Sequence, residues 1–127
     1  MSFVTSVATA ENRVGLNLAY MMFSGTGSET LRQSGAVTNY DESDEVLVPS
    51  LTFVATANAV VYCDAQPHFI DVERDNFGIC PKKLEEYLKK IVIKKNTYSI
   101  NKKTGKKIKA LIAVHVFGMP CKILEIN

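Results

Sequence analysis

Tryptophan, long apolar runs and paired cysteines are all missing from this sequence of 127 residues. The three cysteines, Cys63, Cys80 and Cys121, are widely spaced and form no CxxC pair, which argues against a disulfide framework and a zinc site. The two histidines, His68 and His115, stand apart from them. No stretch approaches the roughly 20 apolar residues of a membrane-spanning helix, so no membrane partner is expected. Free thiols are typical of reducing compartments, and a cytoplasmic location is predicted.

Lysine is absent before Lys82, and this absence divides the chain into an acidic and a basic part. Residues 1–75 carry ten acidic side chains against three arginines, whereas eleven of the fifteen basic residues lie between Lys82 and Lys109. A basic run of this kind is able to bind an anionic partner. It lacks the arginines and interleaved aromatic residues of a nucleic-acid surface, so a solvated helix face followed by an exposed loop is the simpler interpretation.

Short apolar runs alternating with helical patterns predict an α/β domain with a mostly parallel sheet and flanking helices. Strands are predicted at 45–48, 68–72 and 108–116. Helices are predicted at 53–62 and 82–92, another begins within 121–127, and 15–22 reads as a buried helix. The polar stretch 94–107 reads as a loop or small hairpin. Ligands bind such sheets at the carboxyl ends of the strands, which directs attention to 49–53, 71–76 and 115–120.

The two central helices differ in their patterns. The first is rich in alanine and apolar on most sides, so burial is expected, with Ser50 or Thr52 as its cap. The second opens on Pro81, which the first turn of a helix tolerates. Its apolar positions are three and four residues apart, as in an amphipathic helix: Leu84, Tyr87, Leu88 and Ile91.

Single residues add little chemistry. The glycine-rich stretch 24–28 would let the backbone approach a phosphate closely, but on its own the signal is weak and favours an ordinary turn. His115 is expected to be a packed, hydrogen-bonded core residue. Asp71 is expected to cap a turn, and it lies three residues from His68, on the opposite face of the strand. The residues alone thus indicate an α/β domain suited to a nucleotide or phosphate, with no assigned catalytic residue or metal ligand.

Four longer motifs are more specific. The segment 44–63, DEVLVPSLTFVATANAVVYC, closely resembles a motif of the sugar-nucleotide aminotransferases of the DegT/DnrJ/StrS type. The segments 66–72, 81–86 and 109–118 resemble the motifs that follow in that family, in the same order. One subgroup of these aminotransferases acts on 4-keto sugars in the synthesis of legionaminic-acid-type surface sugars. The insertion 101–108 resembles the insertion of that subgroup.

The resemblance implies a fold, a cofactor and partners. The family has the aspartate-aminotransferase fold (fold type I), forms homodimers, and uses pyridoxal 5'-phosphate (PLP) to move an amino group from glutamate to a sugar nucleotide. Phe53 falls where the family places the aromatic residue that stacks on the cofactor ring. For the cofactor phosphate, Gly25 and Thr26 compete with the stretch 8–10, and neither matches the family pattern well.

The resemblance also marks what this sequence does not contain. The family's pyridine-nitrogen aspartate and Schiff-base lysine follow the fourth motif, beyond the last residue of this sequence. We therefore expect a divergent segment at 1–43, a partial PLP-transferase large domain at 44–127, and a truncated aminotransferase that is inactive alone. A complementing chain that supplies the missing half is one alternative. A non-enzymatic module that binds an anionic partner through its lysines is another.

Overall fold

The computed structural model describes residues 9–11, 17–21, 42–95 and 98–126. Seven strands form one sheet: β1 (Thr9–Glu11), β2 (Asn17–Met21), β3 (Asp44–Pro49), β4 (Gln66–Ile70), β5 (Val92–Lys95), β6 (Tyr98–Asn101) and β7 (Lys107–Val114). Within these ranges, three α-helices accompany them: α1 (Val54–Val61), α2 (Pro81–Ile91) and α3 (Ile123–Ile126). The alternation predicted from 45 onward is confirmed within a residue or two at most boundaries.

The sheet is mostly parallel, as predicted. Its order is β1-β2-β7-β3-β4, and β2, β7, β3 and β4 are parallel to one another. In register, Leu47 of β3 lies between Leu111 of β7 and His68 of β4. Strand β1 pairs antiparallel with β2, and the β5–β6 hairpin joins the first residues of β7 antiparallel. The stretch predicted as a loop or small hairpin is thus a hairpin.

Two hydrophobic clusters cover the two faces of the sheet. On one face, Leu47 packs with Leu84, Leu88 and Ile91 of α2. On the other face, Val46 and Val48 pack with the buried side of α1. Successive side chains of β3 therefore enter opposite clusters, as expected for a central strand of a parallel sheet that is covered on both sides.

The helix predicted at 15–22 is wrong, because Asn17–Met21 is a strand that pairs with β7. A short apolar run suits a buried strand as well as a buried helix, and its periodicity does not distinguish them. Strand β1 also contains Thr9 and Ala10, so the alternative phosphate turn at 8–10 is not a turn leading into a helix.

Helix α1 differs from its prediction in two ways. Its N-cap is Phe53, in an extended conformation, and no side chain caps it; Thr52 instead bonds the Thr56 hydroxyl at 2.8 Å between oxygens. Only one stripe of the helix is buried, whereas Val54 and Val61 are exposed. An alanine-rich composition allows close packing on any side, but α1 meets the sheet along a single face.

Helix α2 matches its prediction. Pro81 occupies its first turn, Leu84, Leu88 and Ile91 are buried, and Tyr87 is partly buried. Its lysines lie on the opposite side, where the Lys89 ammonium pairs with Glu85 one turn earlier at 2.7 Å. The lysines of α2 and those at 94, 95, 102 and 103 are exposed, in agreement with a solvated basic face.

Candidate functional site

The carboxyl ends of β3, β4 and β7 lie side by side at one edge of the sheet. This follows from the parallel pairing of β3 with both neighbours. The Ser50 amide donates a hydrogen bond to the Ile70 carbonyl at 2.9 Å, which holds the exit of β3 beside that of β4. The loops after these three strands therefore meet at the edge where parallel sheets bind ligands.

Phe53 presents its ring at this edge. It sits between β3 and α1, and its carbonyl accepts a hydrogen bond from the Thr56 amide at 3.0 Å. Its side chain is 50% exposed although β3 before it is completely buried. A half-exposed ring on a rigid strand-to-helix junction is able to stack on a planar ligand.

The loops after β4 and β7 are fastened to each other. The Asn76 side chain accepts a hydrogen bond from the Gly78 amide at 2.8 Å and donates one to the Pro120 carbonyl at 3.1 Å. A β-carbon on Gly78 would lie 2.6 Å from the β-carbon of Cys121, so only glycine allows this approach. These contacts join loops that are 44 residues apart in sequence.

Each of the two loops carries a phenylalanine with an unusual backbone. Phe77 has φ of 60° and Phe117 has φ of 54°, a left-handed region that bulky residues rarely adopt. Their rings meet edge to face, with centroids 6.3 Å apart. Sequence reasoning did not identify them as site residues. The available signal was a Phe-Gly dipeptide after each of two strands, at 77–78 and 117–118.

Two ion pairs support the same loops. Lys83 forms an ion pair with Asp71, and its hydrogen bond lowers the pKa of the Asp71 carboxyl, aided by the Val72 amide at 2.9 Å. Lys122 contacts Glu73 at 3.1 Å, and this hydrogen bond raises the pKa of the Lys122 ammonium. The turn-capping role expected of Asp71 stays a prediction, because its carboxylate bonds the amide of the next residue and the Lys83 ammonium, and neither contact caps a turn.

His115 makes a hydrogen bond, as expected, but it does not lie in the core. It is partly buried, and its Nδ1 atom accepts a hydrogen bond from the Cys121 amide at 3.0 Å. This bond closes the turn after β7. His68 faces away from Asp71, as predicted, and contacts Glu45 and Tyr87 instead.

A cavity of about 380 Å³ lies elsewhere, between β4 and α2. Its walls include the rings of Phe69 and Tyr87 and the opposite charges of Lys83 and Glu86. The lining of the cavity carries charges of both signs, so it has no evident preference for an anion or a cation. The cavity also lies beside β4, at the side of the sheet. The loop edge with three phenylalanines from adjacent strands is the better candidate site.

The remaining predicted site residues lie outside the described part. Gly25 and Thr26 are among them, so their role at the cofactor phosphate stays a prediction. Within the described ranges, no group of three or more His, Cys, Asp or Glu side chains is arranged to hold a metal ion. No helix among the same residues has the length and apolar character to cross a membrane.

Comparison with known proteins gives a consistent result. The related EpsN of Bacillus subtilis, provisionally named a pyridoxal phosphate-dependent aminotransferase, is 36% identical over 114 residues, which is 90% of this chain and 26% of EpsN. GDP-perosamine synthase of Vibrio cholerae is 29% identical over 101 residues, 80% of this chain and 23% of that enzyme. The chain thus spans about a quarter of the length of these curated relatives.

Solved structures share the fold. A DegT DnrJ EryC1 StrS aminotransferase from Brucella abortus superposes with a TM-score of 0.55 at 24% identity, over 94% of this chain and 26% of that one. NtdA from Bacillus subtilis, solved with bound cofactor PMP, superposes with a TM-score of 0.55 at 24% identity, over 79% of this chain and 19% of NtdA. The α/β architecture is therefore part of the PLP-dependent aminotransferase fold. Residues 12–127 match the family directly, and this chain belongs to the DegT/DnrJ/EryC1/StrS aminotransferase family.

Proposed function

We propose that this chain forms the first part of the cofactor-binding domain of an enzyme that transfers an amino group from glutamate to a 4-keto sugar nucleotide. The family match over residues 12–127 carries the proposal. The GDP-linked product in the name of the Vibrio cholerae relative supports a nucleotide sugar as substrate. The insertion at 101–108 favours the legionaminic-acid-type subgroup, and hence surface polysaccharide or nonulosonic acid biosynthesis in the cytoplasm.

The described residues fit PLP at one point, its ring. Phe53 offers an exposed aromatic face at the carboxyl end of β3, and Gly25 with Thr26 would bind the phosphate. When bound, PLP supplies an electron sink for amino transfer. The contribution of Phe53 is to orient the ring and to exclude water from one face.

We further propose that 44–127 is a partial large domain and that these residues alone do not transfer amino groups. In the family, the lysine and aspartate that complete the cofactor site follow the strand equivalent to β7. A chain carrying those motifs, joined to this one or separate from it, would complete the site within a homodimer. A neighbouring reading frame that begins with those motifs would be the simplest supporting observation.

The test combines this chain with a second chain that carries the remaining family motifs. Glutamate-dependent amination of a 4-keto nucleotide sugar is expected from the pair and from neither chain alone. Phe53→Ala should weaken PLP binding by the pair by roughly 1 kcal/mol, the scale of an aromatic contact. Phe69→Ala is the matched control, because Phe69 is similarly exposed but lies in β4.

Two results would contradict the proposal. Amination by the 127 residues alone would show that the missing motifs are dispensable. Equal PLP affinity of the wild type and Phe53→Ala in the active pair would return Phe53 to a purely structural role.

A second candidate function is a binding module for an anionic partner. It is favoured by the exposed lysines of the hairpin region, at 94, 95, 102 and 103. Binding of a single-stranded oligonucleotide that falls steeply with added salt, and that is lost when these four lysines are changed to glutamine, would support it. Binding unaffected by those changes would exclude the lysines as the contact.

A further inference from the structure

We infer that Phe77 and Phe117 form an aromatic wall that binds the nucleobase of a nucleoside diphosphate. The inference rests on the nucleotide-sugar function proposed above and names residues for one part of that substrate. Four observations carry it: the strained backbone of both residues, the exposure of their rings, the contacts that lock their loops, and their position at the ligand-binding edge.

The backbone conformation is costly and is found at both residues. A left-handed φ places the β-carbon of any residue except glycine against its own backbone, and a bulky side chain makes this worse. Residues held in this way cluster at ligand sites, where the surrounding structure over-determines them. Core packing does not explain these two, because Phe117 is 74% exposed and Phe77 is 37% exposed.

The scaffold beneath the two rings is unusually well fixed. Asn76 bonds both loops, Gly78 closely contacts Cys121, and Lys122 pairs with Glu73 across the same junction. The turn that carries Phe117 is closed by the Cys121–His115 hydrogen bond. The loops that carry the rings are therefore fixed before a ligand arrives, which reduces the entropy lost on binding.

The geometry suits a planar aromatic ligand. The edge-to-face contact uses the edge of one ring and the face of the other, so the remaining ring surface is open to a third aromatic group. The proposed cofactor and substrate contain two aromatic groups, the PLP ring and the nucleobase. Phe53 would contact the PLP ring, which leaves the nucleobase for Phe77 and Phe117. Stacking tolerates different bases because every base has an aromatic face.

The experiment measures binding of UDP and GDP to the full 127-residue chain by titration calorimetry, with pyrophosphate as a probe that lacks the base. UDP or GDP should bind at least fivefold more tightly than pyrophosphate. Phe117→Gly and Phe77→Gly should each reduce nucleotide affinity at least fivefold. The melting temperature should stay the same or rise, because glycine adopts the left-handed backbone without strain.

Phe117→Trp and Phe69→Ala complete the set. The tryptophan variant keeps a stacking face and should retain binding, and the Phe69 variant should leave nucleotide affinity unchanged. Equal affinity for pyrophosphate and UDP, no nucleotide binding, or wild-type affinity in both glycine variants would overturn the inference. Amination by the complemented pair would still stand in each of these cases, so the two proposals fail separately.

Discussion

Glu45 is a buried carboxylate with three partners from two other parts of the chain. It is 1% exposed, yet it accepts hydrogen bonds from Asn101 at 2.9 Å and Thr104 at 2.6 Å and lies 3.2 Å from Nδ1 of His68. His68 in turn bonds the Tyr87 hydroxyl at 2.9 Å. This network ties β3, β4, α2 and the hairpin together at the amino end of the sheet.

Removing that carboxylate should leave several buried polar groups without partners. We expect Glu45→Ala to lower the free energy of unfolding by about 3 kcal/mol, as measured by urea denaturation. Glu86→Ala, an exposed change on α2, should stay within about 0.5 kcal/mol of the wild type. Similar losses in the two variants would show that the network is not stabilising.

Cys121 gives a prediction for the dependence on pH. Burial raises the pKa of its thiol, because the charged thiolate is poorly solvated beside Gly78. The folded state therefore keeps the proton longer than the unfolded state. The resulting stability is complete below the ordinary thiol pKa and is lost as the pH rises towards the raised value.

Alkylation by iodoacetamide, followed by mass spectrometry, tests this. At neutral pH, the partly buried Cys80 should react first, with Cys63 and Cys121 protected. The free energy of unfolding should fall as the pH rises through the thiol range, and less so in Cys121→Ala. Labelling of Cys121 as fast as that of Cys80 would show that burial does not protect the Cys121 thiol.

At the scale of elements, the contact between the loops after β4 and β7 depends on Gly78. An added methyl group would overlap Cys121, so the loops must separate. We expect Gly78→Ala to destabilise the fold by about 1–3 kcal/mol, the usual range for overpacking. It should also disturb the Phe77–Phe117 contact, visible as altered aromatic resonances by NMR.

Gly105→Ala is the matched control for that change. Gly105 has a positive φ of 74°, unlike Gly78, and no atom lies within 4 Å of a β-carbon placed there. Its substitution should cost about 1 kcal/mol through the backbone alone and leave the aromatic resonances unchanged. Identical spectra for the two variants would remove Gly78 from the loop contact.

Most elements after residue 44 could be predicted because their local patterns agree with their tertiary roles. The spacing of Leu84, Leu88 and Ile91 is that of a helix with one buried face, and these residues are buried. Asn17–Met21 could not be predicted, since an apolar run becomes a strand only where a partner such as β7 is available. The exposed side of α1 likewise depends on which neighbours are present.

The site was predictable only in part. Phe53 was identified by its motif, and the structure shows its ring at the carboxyl edge of the sheet. Phe77 and Phe117 are brought together by contacts between distant loops, and nothing local to either residue specifies a left-handed backbone. The Glu45 network was missed for the same reason, because its partners lie far away in sequence.

At the scale of the whole molecule, the sheet, its two hydrophobic clusters and the family match describe part of a larger aminotransferase fold. Phe53, the residue proposed to stack on the cofactor ring, lies in this part. The lysine that attaches the cofactor covalently is expected beyond it. We therefore expect this chain to contact PLP without attaching it covalently.

The most direct measurement is borohydride reduction of the chain with PLP, followed by intact-mass and peptide mass spectrometry. We expect at most scattered, substoichiometric labelling of exposed lysines, at the same level in the wild type and in Phe53→Ala. Stoichiometric attachment of PLP to one lysine of the wild-type chain, reduced in Phe53→Ala, would show instead that these 127 residues hold a complete attachment site.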